Sequence, residues 1–293
     1  MRPVSTVAFI GLGVMGGPIA GHLARQGFAL RVYNRTRHKA DTWVEQYGGS
    51  AHETPAAAAE GANLVLCCVG NDNDVREVTT GEQGALAGMS PGAFLVDHTT
   101  ASADLALELA DTCRQGDIGF LDAPVSGGQQ GAESGALTIM CGGDQALFQH
   151  LEPVMAHYAC AVTLMGPAGS SQLTKMVNQI CVAGLVQSLS EGLHFARQSG
   201  LDAHRVMEVL SKGAAGSWQM ENRHQTMLEG DYDHGFAVDW MRKDLHICLS
   251  EARRLNAALP ITALVDQFYA ELQRQSDGRR DITALLKRLQ ATE

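Results

Sequence analysis

The sequence predicts a doubly wound, parallel α/β domain followed by an all-α domain, with a long helix between them. Over its first half, short apolar β-rich runs alternate with Ala/Leu-rich helical patterns, as expected for βαβ units. After residues 166–167 the strands stop, and from residue 170 to about 200 apolar residues recur at helical intervals without a proline. We therefore predict an α/β domain at residues 1–165 and an all-helical domain at residues 166–293, connected by an interdomain helix.

Seven apolar runs are the predicted strands of the first domain. They cover residues 7–10, 29–33, 64–69, 94–97, 119–121, 137–141 and 162–165. The alanine run at residues 56–59 is predicted as a plain helix. In the second domain the helical pattern breaks at residues 200, 213–216, 230–235 and 260, where glycine or proline interrupts it.

Composition excludes several classes of partner. The 293 residues carry a formal net charge of −10, which repels nucleic-acid phosphates and anionic lipid surfaces. No stretch approaches the roughly 18 apolar residues that a membrane span needs, and the first apolar run ends in glycines rather than in a cleavage site. We predict a cytoplasmic protein that binds neither nucleic acid nor membranes.

Cysteine and histidine usage indicates neither disulfides nor a metal site. The seven cysteines show no CxxC pair and lie in mostly apolar segments, so they are predicted to be buried free thiols. The eleven histidines are scattered without HExxH or paired metal spacing, and no metal site is predicted.

A GxGxxG motif directly follows the first predicted strand. It reads Gly11-Leu12-Gly13-Val14-Met15-Gly16 and leads into an apolar helical pattern. In a Rossmann domain, Gly11 permits the tight turn, Gly13 lets the backbone approach a pyrophosphate, and Gly16 lets the helix pack on the strand. The N–H groups of the helix N-terminus then face the phosphates. The motif predicts a dinucleotide site, and a purely structural glycine turn is the alternative.

The end of the second predicted strand indicates which dinucleotide binds. An NAD enzyme usually places Asp or Glu there to bind the ribose 2′-hydroxyl. This chain has Asn34, Arg35 and Thr36, followed by Arg37 and Lys39 within three residues. A guanidinium offers a planar fork of donors to a 2′-phosphate. We predict NADP(H) in preference to NAD(H), with a solvated basic helix start as the alternative.

Two further segments carry candidate chemistry. Ser126, Gly127 and Gly128 follow a predicted strand in the run Asp-Ala-Pro-Val-Ser-Gly-Gly, where a hydroxyl and backbone N–H groups can meet an anion. Ser126 lies outside a GxSxG motif, which argues against a nucleophile. At the start of the long helix, Lys175, Asn178 and Gln179 are spaced to share one face. A lone lysine is normally a solvated surface residue, but one beside two amides is a better candidate for chemistry.

Together these segments resemble the β-hydroxyacid dehydrogenase family, which includes 3-hydroxyisobutyrate dehydrogenase and tartronate semialdehyde reductase. The resemblance spans nearly the whole chain and is carried by four ordered motifs. These are the GLGxMG loop, the DAPVSGG segment, the GxxGxxxxxKxxN helix start and the run Lys243-Asp244-Leu245.

The resemblance implies a role for each matched residue. Lys175 is the catalytic acid/base; Ser126, Gly127 and Gly128 hold the substrate carboxylate, with Asn178 and Gln179 beside it. Val69 and Thr100 line the cofactor cleft, and Lys243 reaches the nicotinamide side. The family's second amide is commonly Asn, and Gln179 matches the tartronate semialdehyde reductase branch. The family's Asp-x-Ser-Thr reads Asp-His-Thr-Thr here, which leaves the role of Thr99 open.

The predicted activity is NADP(H)-dependent interconversion of a short 3-hydroxy or 2-hydroxy carboxylate and its aldehyde acid. An imine reductase-like enzyme and a non-catalytic NADPH-binding module are the alternatives. A homodimer or homotetramer is predicted, because the helical half has wide apolar faces for a modest domain. Trp218 is predicted as a core residue, with the outer wall of the substrate pocket as the alternative.

Overall fold

A computed structural model describes residues 3–290 of the chain. It separates into two compact units, Met1–Lys175 and Met176–Glu293. The first unit holds a sheet of nine strands, in chain order β1 (Thr6–Ile10), β2 (Ala29–Tyr33), β3 (Ser50–Ala51), β4 (Leu64–Cys67), β5 (Phe94–Asp97), β6 (Gly119–Asp122), β7 (Val125–Ser126), β8 (Leu137–Gly143) and β9 (Ala159–Gly166).

Eight helices lie between these strands, and a long helix begins after the last one. They are α1 (Gly16–Arg25), α2 (Arg37–Tyr47), α3 (Pro55–Ala59), α4 (Asp72–Thr79), α5 (Ala85–Gly88), α6 (Ala103–Gln115), α7 (Gly128–Ser134) and α8 (Gln145–Met155). The long helix α9 (Ser170–Gln198) starts in the first unit and continues into the second. The alanine run is thus helical, as predicted, and Thr54 caps it by accepting a hydrogen bond from the Ala57 N–H.

Apart from one isolated β-bridge between Ala237 and Asp281, the second unit is built of helices within the described residues. They are the remainder of α9, α10 (Ala203–Leu210), α11 (Trp218–Glu229), α12 (Val238–Leu255), α13 (Pro260–Arg274), a short 3₁₀ helix (Ile282–Ala284) and α14 (Leu285–Gln290). Residues in left-handed conformation end two of them, Gly230 after α11 and Asn256 after α12. The predicted fold class, a Rossmann-type sheet followed by an all-helical domain that begins with a long helix, is confirmed.

Sheet order places the glycine loop at the centre of the sheet. The order is β3-β2-β1-β4-β5-β6-β8-β7, with β9 also paired to β8. Strands β3 to β6 in this order are all parallel. The chain therefore reverses its strand order between β1 and β4, and ligands bind at such a switch point, outside the carboxyl ends of the strands.

The far edge of the sheet differs from the prediction. Strand β8 runs antiparallel to both β6 and β7, and the short strands β3 and β7 were not predicted. Only residues 127–136 separate β7 from β8, which is shorter than the crossover of about a dozen or more residues that parallel neighbours need. The chain therefore returns as an antiparallel strand.

Alternate residues of the central strands fill two cores, one on each face of the sheet. Phe9 packs in one cluster with Leu23 of α1, and Ile10 packs in the other with Leu109 of α6. This alternation is what a doubly wound sheet requires of its strands. In the second unit, separate clusters join α9 to α12 and α13, and α9 to α10 and α11.

Two surface features bear on the sequence predictions. No helix within residues 3–290 is long and apolar enough to cross a membrane. All seven cysteines are free, but Cys160 and Cys181 are exposed, so the prediction that the thiols are buried is wrong for these two. Cys160 lies on β9, which pairs only with β8 and has several exposed residues, and the periodicity of a short apolar run does not reveal this position in the sheet.

Candidate functional site

At two positions in the loop between β1 and α1, the surrounding backbone leaves no room for a side chain. A Cβ on Gly11, whose φ is +97°, would lie 2.3 Å from the carbonyl oxygen of Cys68. A Cβ on Gly16 would lie 2.0 Å from the Gly11 carbonyl oxygen. By contrast, no described atom lies within 4 Å of a Cβ built on Gly13. The space at Gly13 is therefore open to a ligand rather than filled by the chain.

Asn34 holds this loop in place from the end of β2. Its Oδ1 accepts a hydrogen bond from the Leu12 N–H at 2.9 Å, and its Nδ2 donates to the Thr36 carbonyl at 3.0 Å. The loop also bonds to the second strand through the Gly11 N–H, which donates to the Tyr33 carbonyl. Within the same loop Val14 is exposed, while Leu12 is buried.

The two arginines after β2 have different surroundings. Arg35 is 78% exposed and makes one 3.3 Å contact with Asp74. Arg37 bonds to Asp41 at 2.7 Å and also to Glu53, and these carboxylates raise the pKa of its guanidinium, the bond to Asp41 contributing most. Two carboxylates thus occupy Arg37, and Arg35 is the arginine whose donors face solvent.

Beyond β4 and β5 the chain is held by hydrogen bonds between side chains and backbone. The Val69 N–H donates to Thr99 Oγ1 at 3.0 Å, and the Thr99 N–H donates to Asp97 Oδ1 at 2.9 Å. Burial raises the pKa of the Asp97 carboxyl to about 7, against the lowering effect of its bonds to Thr99. Thr100 is the next residue along this segment. The unexpected threonine at position 99 therefore joins the ends of two strands.

His98 is buried and contacts Ala123 and Tyr158, which belong to the core cluster that contains Phe9. Its Nδ1 lies 2.6 Å from the Ala123 carbonyl and its Nε2 lies 2.9 Å from the Tyr158 hydroxyl. A carbonyl only accepts, so Nδ1 carries the proton and Nε2 accepts from Tyr158. Desolvation lowers the pKa of His98 to about 4. His98 is thus neutral, and it links the residue after β5 to Tyr158 and to Ala123, three residues before Ser126.

Ser126 ends the short strand β7, and two glycines turn the chain after it. Gly127 has φ +129° and Gly128 has φ +62°, conformations that side chains other than glycine rarely adopt. A Cβ on Gly128 would find no described atom within 4 Å. Ser126 is half-buried and Gly127 is exposed. The space beside the turn is therefore open at Gly128, next to the half-buried Ser126.

Asp122, at the end of β6, anchors the start of α9. Its Oδ1 accepts from the Gly169 N–H at 3.0 Å. Ser171 Oγ donates to the carboxylate of Asp122 and lies 2.9 Å from its carbonyl oxygen. Burial raises the pKa of Asp122, and the bonds from Ser171 and Gly169 oppose this rise. The first turn of the long helix is therefore fixed to the carboxyl end of the sheet.

Lys175 follows one turn after this anchor, and it is 7% exposed. Lysine is seldom buried to this degree unless it is paired, because burial strips its ammonium of water. The ammonium of Lys175 is therefore largely shielded from bulk water.

Four polar side chains of the second unit form a hydrogen-bonded network. Asn178 Nδ2 donates to Gln179 Oε1 at 2.7 Å, and Gln179 Nε2 donates to Asp244 Oδ2 at 2.6 Å. Lys243 Nζ lies 2.8 Å from Asp244 Oδ1. Both Gln179 and Asp244 are buried. The motif at residues 243–245 indicated Lys243 alone, and the structure adds Asp244 as the group that ties it to the two amides.

The predicted site residues thus fall into two sets. The glycine loop, Asn34, Arg35, Thr36, Val69, Thr100, Ser126 with its two glycines, and Lys175 belong to the first unit, at or after strand ends. Asn178, Gln179 and Lys243 belong to the second. Within residues 3–290 no group of three or more His, Cys, Asp or Glu side chains could hold a metal ion.

Comparison with known families matches nearly the whole chain. Residues 6–166 match the family model described as the NAD binding domain of 6-phosphogluconate dehydrogenase. Residues 169–289 match the model described as NAD-binding of NADP-dependent 3-hydroxyisobutyrate dehydrogenase.

Individual relatives agree with these matches. An uncharacterised oxidoreductase from Shewanella frigidimarina is 61% identical, covering 98% of this chain and 99% of the relative. The 2-hydroxy-3-oxopropionate reductase of Escherichia coli is 33% identical, covering 97% of each. A crystal structure of a 3-hydroxyisobutyrate dehydrogenase from Salmonella typhimurium has a TM-score of 0.87 at 27% identity, covering 97% of this chain and 99% of that one.

Proposed function

The chain belongs to the β-hydroxyacid dehydrogenase family of NAD(P)-dependent oxidoreductases, and from this we propose that it is an NADP(H)-dependent reductase of short aldehyde acids. In the proposed reaction, Lys175 is the acid/base. The observation that carries the proposal is the burial of Lys175, one turn after the point where α9 is anchored to the carboxyl end of the sheet.

The glycine loop fits a dinucleotide pyrophosphate. Gly11 and Gly16 are needed by the chain, but the open space at Gly13 is unexplained by any packing within the described residues. A backbone without a side chain there allows phosphate oxygens to approach the N–H groups that begin α1. We assign residues 11–16 to the pyrophosphate, with Val69 and Thr100 along the cleft.

Arg35 supports NADP(H) over NAD(H). Its guanidinium is largely exposed, and residues 34–36 contain no carboxylate that would repel a 2′-phosphate. Arg37 is bound to two carboxylates, so we assign the 2′-phosphate contact to Arg35 and place Asn34 and Thr36 beside it.

Proton transfer is assigned to Lys175. The bound cofactor supplies the hydride that adds to the carbonyl carbon in reduction and accepts it in oxidation. The ammonium of Lys175 donates a proton to the carbonyl oxygen in reduction, and the neutral amine removes it in oxidation. Its positive charge also stabilises the alkoxide as it develops, an interaction that strengthens in a site with little water.

We assign the substrate carboxylate to the turn at Ser126. Gly127 and Gly128 both have positive φ, and successive backbone N–H groups in a turn of this kind are typical of anion-binding cradles, here beside the Ser126 hydroxyl. Such a cradle favours a small anion despite the net negative charge of the whole chain.

Gln179 bears on which aldehyde acid is preferred. Its amide is held by Asp244, and Asn178 donates to it. The Escherichia coli relative is named for 2-hydroxy-3-oxopropionate, a small polar aldehyde acid. We propose that Asn178, Gln179 and Lys243 bind the polar groups of such a substrate, which makes it a better substrate than the branched apolar methylmalonate semialdehyde.

The protein is proposed to be a homodimer or a homotetramer. Val177, Leu185 and Phe195 are exposed along α9, at 60%, 42% and 70%. On α13, Ile261 and Leu264 are exposed, while Val265 and Leu272 lie in the core of the second unit. Exposed apolar side chains repeated along a helix are typical of a subunit interface.

A spectrophotometric screen tests the proposed activity. NADPH oxidation is followed with glyoxylate, succinic semialdehyde, tartronate semialdehyde and methylmalonate semialdehyde, and reduction of NADP with L-serine and 3-hydroxyisobutyrate. A cyclic imine serves as the matched alternative substrate. We expect turnover of at least one small aldehyde acid and none of the imine. Turnover of the imine alone contradicts the proposal, and binding of NADPH without turnover of any of these compounds indicates a non-catalytic module.

A further inference from the structure

Gln172 bonds to the backbone on both sides of Thr100. Its Nε2 donates to the Thr99 carbonyl at 2.8 Å, and its Oε1 accepts from the Ala101 N–H at 3.0 Å. A carbonyl only accepts and an N–H only donates, so these partners fix the orientation of the amide. Gln172 is 1% exposed. One side chain of α9 therefore holds the segment that follows β5 at two points.

Gln172 and Lys175 lie three residues apart on α9, which places them on the same face of the helix. A displacement of the helix at Gln172 is therefore also a displacement of Lys175. The segment that Gln172 holds is itself tied to the neighbouring strand, since Thr99 Oγ1 accepts from the Val69 N–H. Lys175 is thus connected through one amide to the residues assigned to the cofactor cleft.

The anchor at Asp122 does not make Gln172 redundant. Asp122 holds Gly169 and Ser171, which fixes where the helix begins at the end of β6. Gln172 holds the helix to the end of the next strand, β5. Contacts to two different strands define the rotation of a helix about its own axis, which one contact point does not. That rotation sets the direction in which Lys175 projects.

We propose that Gln172 is a positioning residue for the reaction, which sets the placement of Lys175 relative to Thr100. This inference rests on the proposed function and adds a residue to it. Small misplacements of a reacting group are costly, since about 1 Å can lower a rate by roughly 10²-fold. Gln172→Ala is expected to lower kcat about 10-fold, with a smaller change in KM for the aldehyde acid.

A double-mutant cycle separates positioning from general structural support. The kcat of wild type, Gln172→Ala, Lys175→Ala and the double variant is measured with NADPH and the best substrate of the screen. If Gln172 acts by placing Lys175, the loss seen in Gln172→Ala falls to less than about twofold once Lys175 is absent. An equal loss in both backgrounds overturns the inference and leaves the proposed function intact. Wild-type turnover of Lys175→Ala overturns the proposed function instead.

Two further variants keep the test interpretable. Gln172→Glu has the same shape and can accept from the Ala101 N–H, but it cannot donate to the Thr99 carbonyl when ionised, so its kcat is expected to fall while the fold is retained.

Gln187→Leu is the control, because Gln187 is also buried on α9 but bonds to Glu191 one turn along the same helix. Its kcat is expected to stay within twofold of wild type. Loss of cooperative thermal unfolding in both Gln172 variants overturns the inference, since Gln172 is then required for folding.

The affinity for NADPH provides a second measurement that does not depend on turnover. Because Gln172 holds both sides of Thr100, Gln172→Ala is expected to raise the Kd for NADPH severalfold in a fluorescence titration, whereas Gln187→Leu leaves it unchanged. An unchanged Kd and an unchanged kcat in Gln172→Ala together overturn the inference, whatever the identity of the substrate.

Discussion

The two polar sets of this protein are built differently. At the strand ends of the first unit, side chains bond to backbone groups: Thr99 to Val69, Asp122 to Gly169 and Asn34 to Leu12. In the second unit, side chains bond to each other, from Asn178 through Gln179 to Asp244. A backbone group keeps its position when a nearby side chain is substituted, whereas a network of side chains rearranges when any one of them is substituted. We infer that the first set supplies the chemistry of the reaction and that the second set determines which substrate is preferred.

The largest expected effect is at Lys175, in the first set. Lys175→Ala is expected to lower kcat for every aldehyde acid by about 10²-fold or more, the scale for loss of a positioned acid/base, while NADPH still binds. Steady-state kinetics on the screened substrates measure this. The control is Lys212→Ala, which removes an exposed lysine and is expected to retain wild-type kinetics. A loss of kcat confined to one substrate would contradict this role, because it would show that Lys175 affects substrate preference rather than the chemical step.

The next largest effect is expected at Arg35. Arg35→Glu is expected to raise KM for NADPH about 10-fold or more and to change KM for NADH less, because charge-assisted hydrogen bonds contribute roughly 1.5–3 kcal/mol. Arg114→Glu is the matched control, since Arg114 is 77% exposed against 78% for Arg35. A wild-type preference for NADH would contradict the assignment of NADP(H).

A smaller, selective effect is expected at Gln179. Gln179→Asn shortens the side chain by one methylene and removes its reach to Asp244, so the ratio of kcat/KM for methylmalonate semialdehyde to that for tartronate semialdehyde is expected to rise about 5-fold, the scale of one lost hydrogen bond. Gln225→Asn, on the exposed side of α11, is the control. Equal losses on both substrates would show that the two sets do not divide chemistry from selectivity.

The smallest effect on turnover, but a clear one on stability, is expected at Asp97. Its carboxyl keeps a proton up to pH about 7 when folded but loses it near its usual pKa of 3.8 when unfolded. The free energy of unfolding should therefore fall as pH rises from 4 to 7. Asp97→Asn preserves the acceptor for the Thr99 N–H and should flatten this dependence, gaining about 2 kcal/mol or more at pH 8. Urea unfolding at pH 4 to 8 measures it, and an unchanged slope would contradict it.

Most of the fold was predictable because it rests on local patterns. The glycine loop, the strand periodicity and the long helix each have a signature within about 30 residues. The reversal at β8 has none, since it depends on how a ten-residue connection closes between strands. Trp218 was expected in the core but is 47% exposed, with Arg223 over its ring. Its place depends on contacts between helices that no short pattern contains.

The site was predictable by residue type but not by partner. Motifs indicated Lys175, Ser126 and the glycines, whose assigned roles are still predictions. They gave no sign of Gln172, whose two bonds reach residues about 70 positions away. Nor did they separate Arg35 from Arg37, because the carboxylate of Glu53 that occupies Arg37 comes from a later turn. Hydrogen bonds of this range follow from the fold and not from spacing.

Proton transfer by the ammonium of Lys175 is the step of the proposed reaction that can be tested most directly. Single-turnover oxidation of NADPH by the best aldehyde acid is measured for Lys175→Ala over a series of methylamine concentrations, with ammonium-free buffer as the baseline. We predict a rate about 10²-fold below wild type at the baseline, which rises with the concentration of methylammonium as it takes the place of the missing side chain. A wild-type rate without the amine would contradict the account.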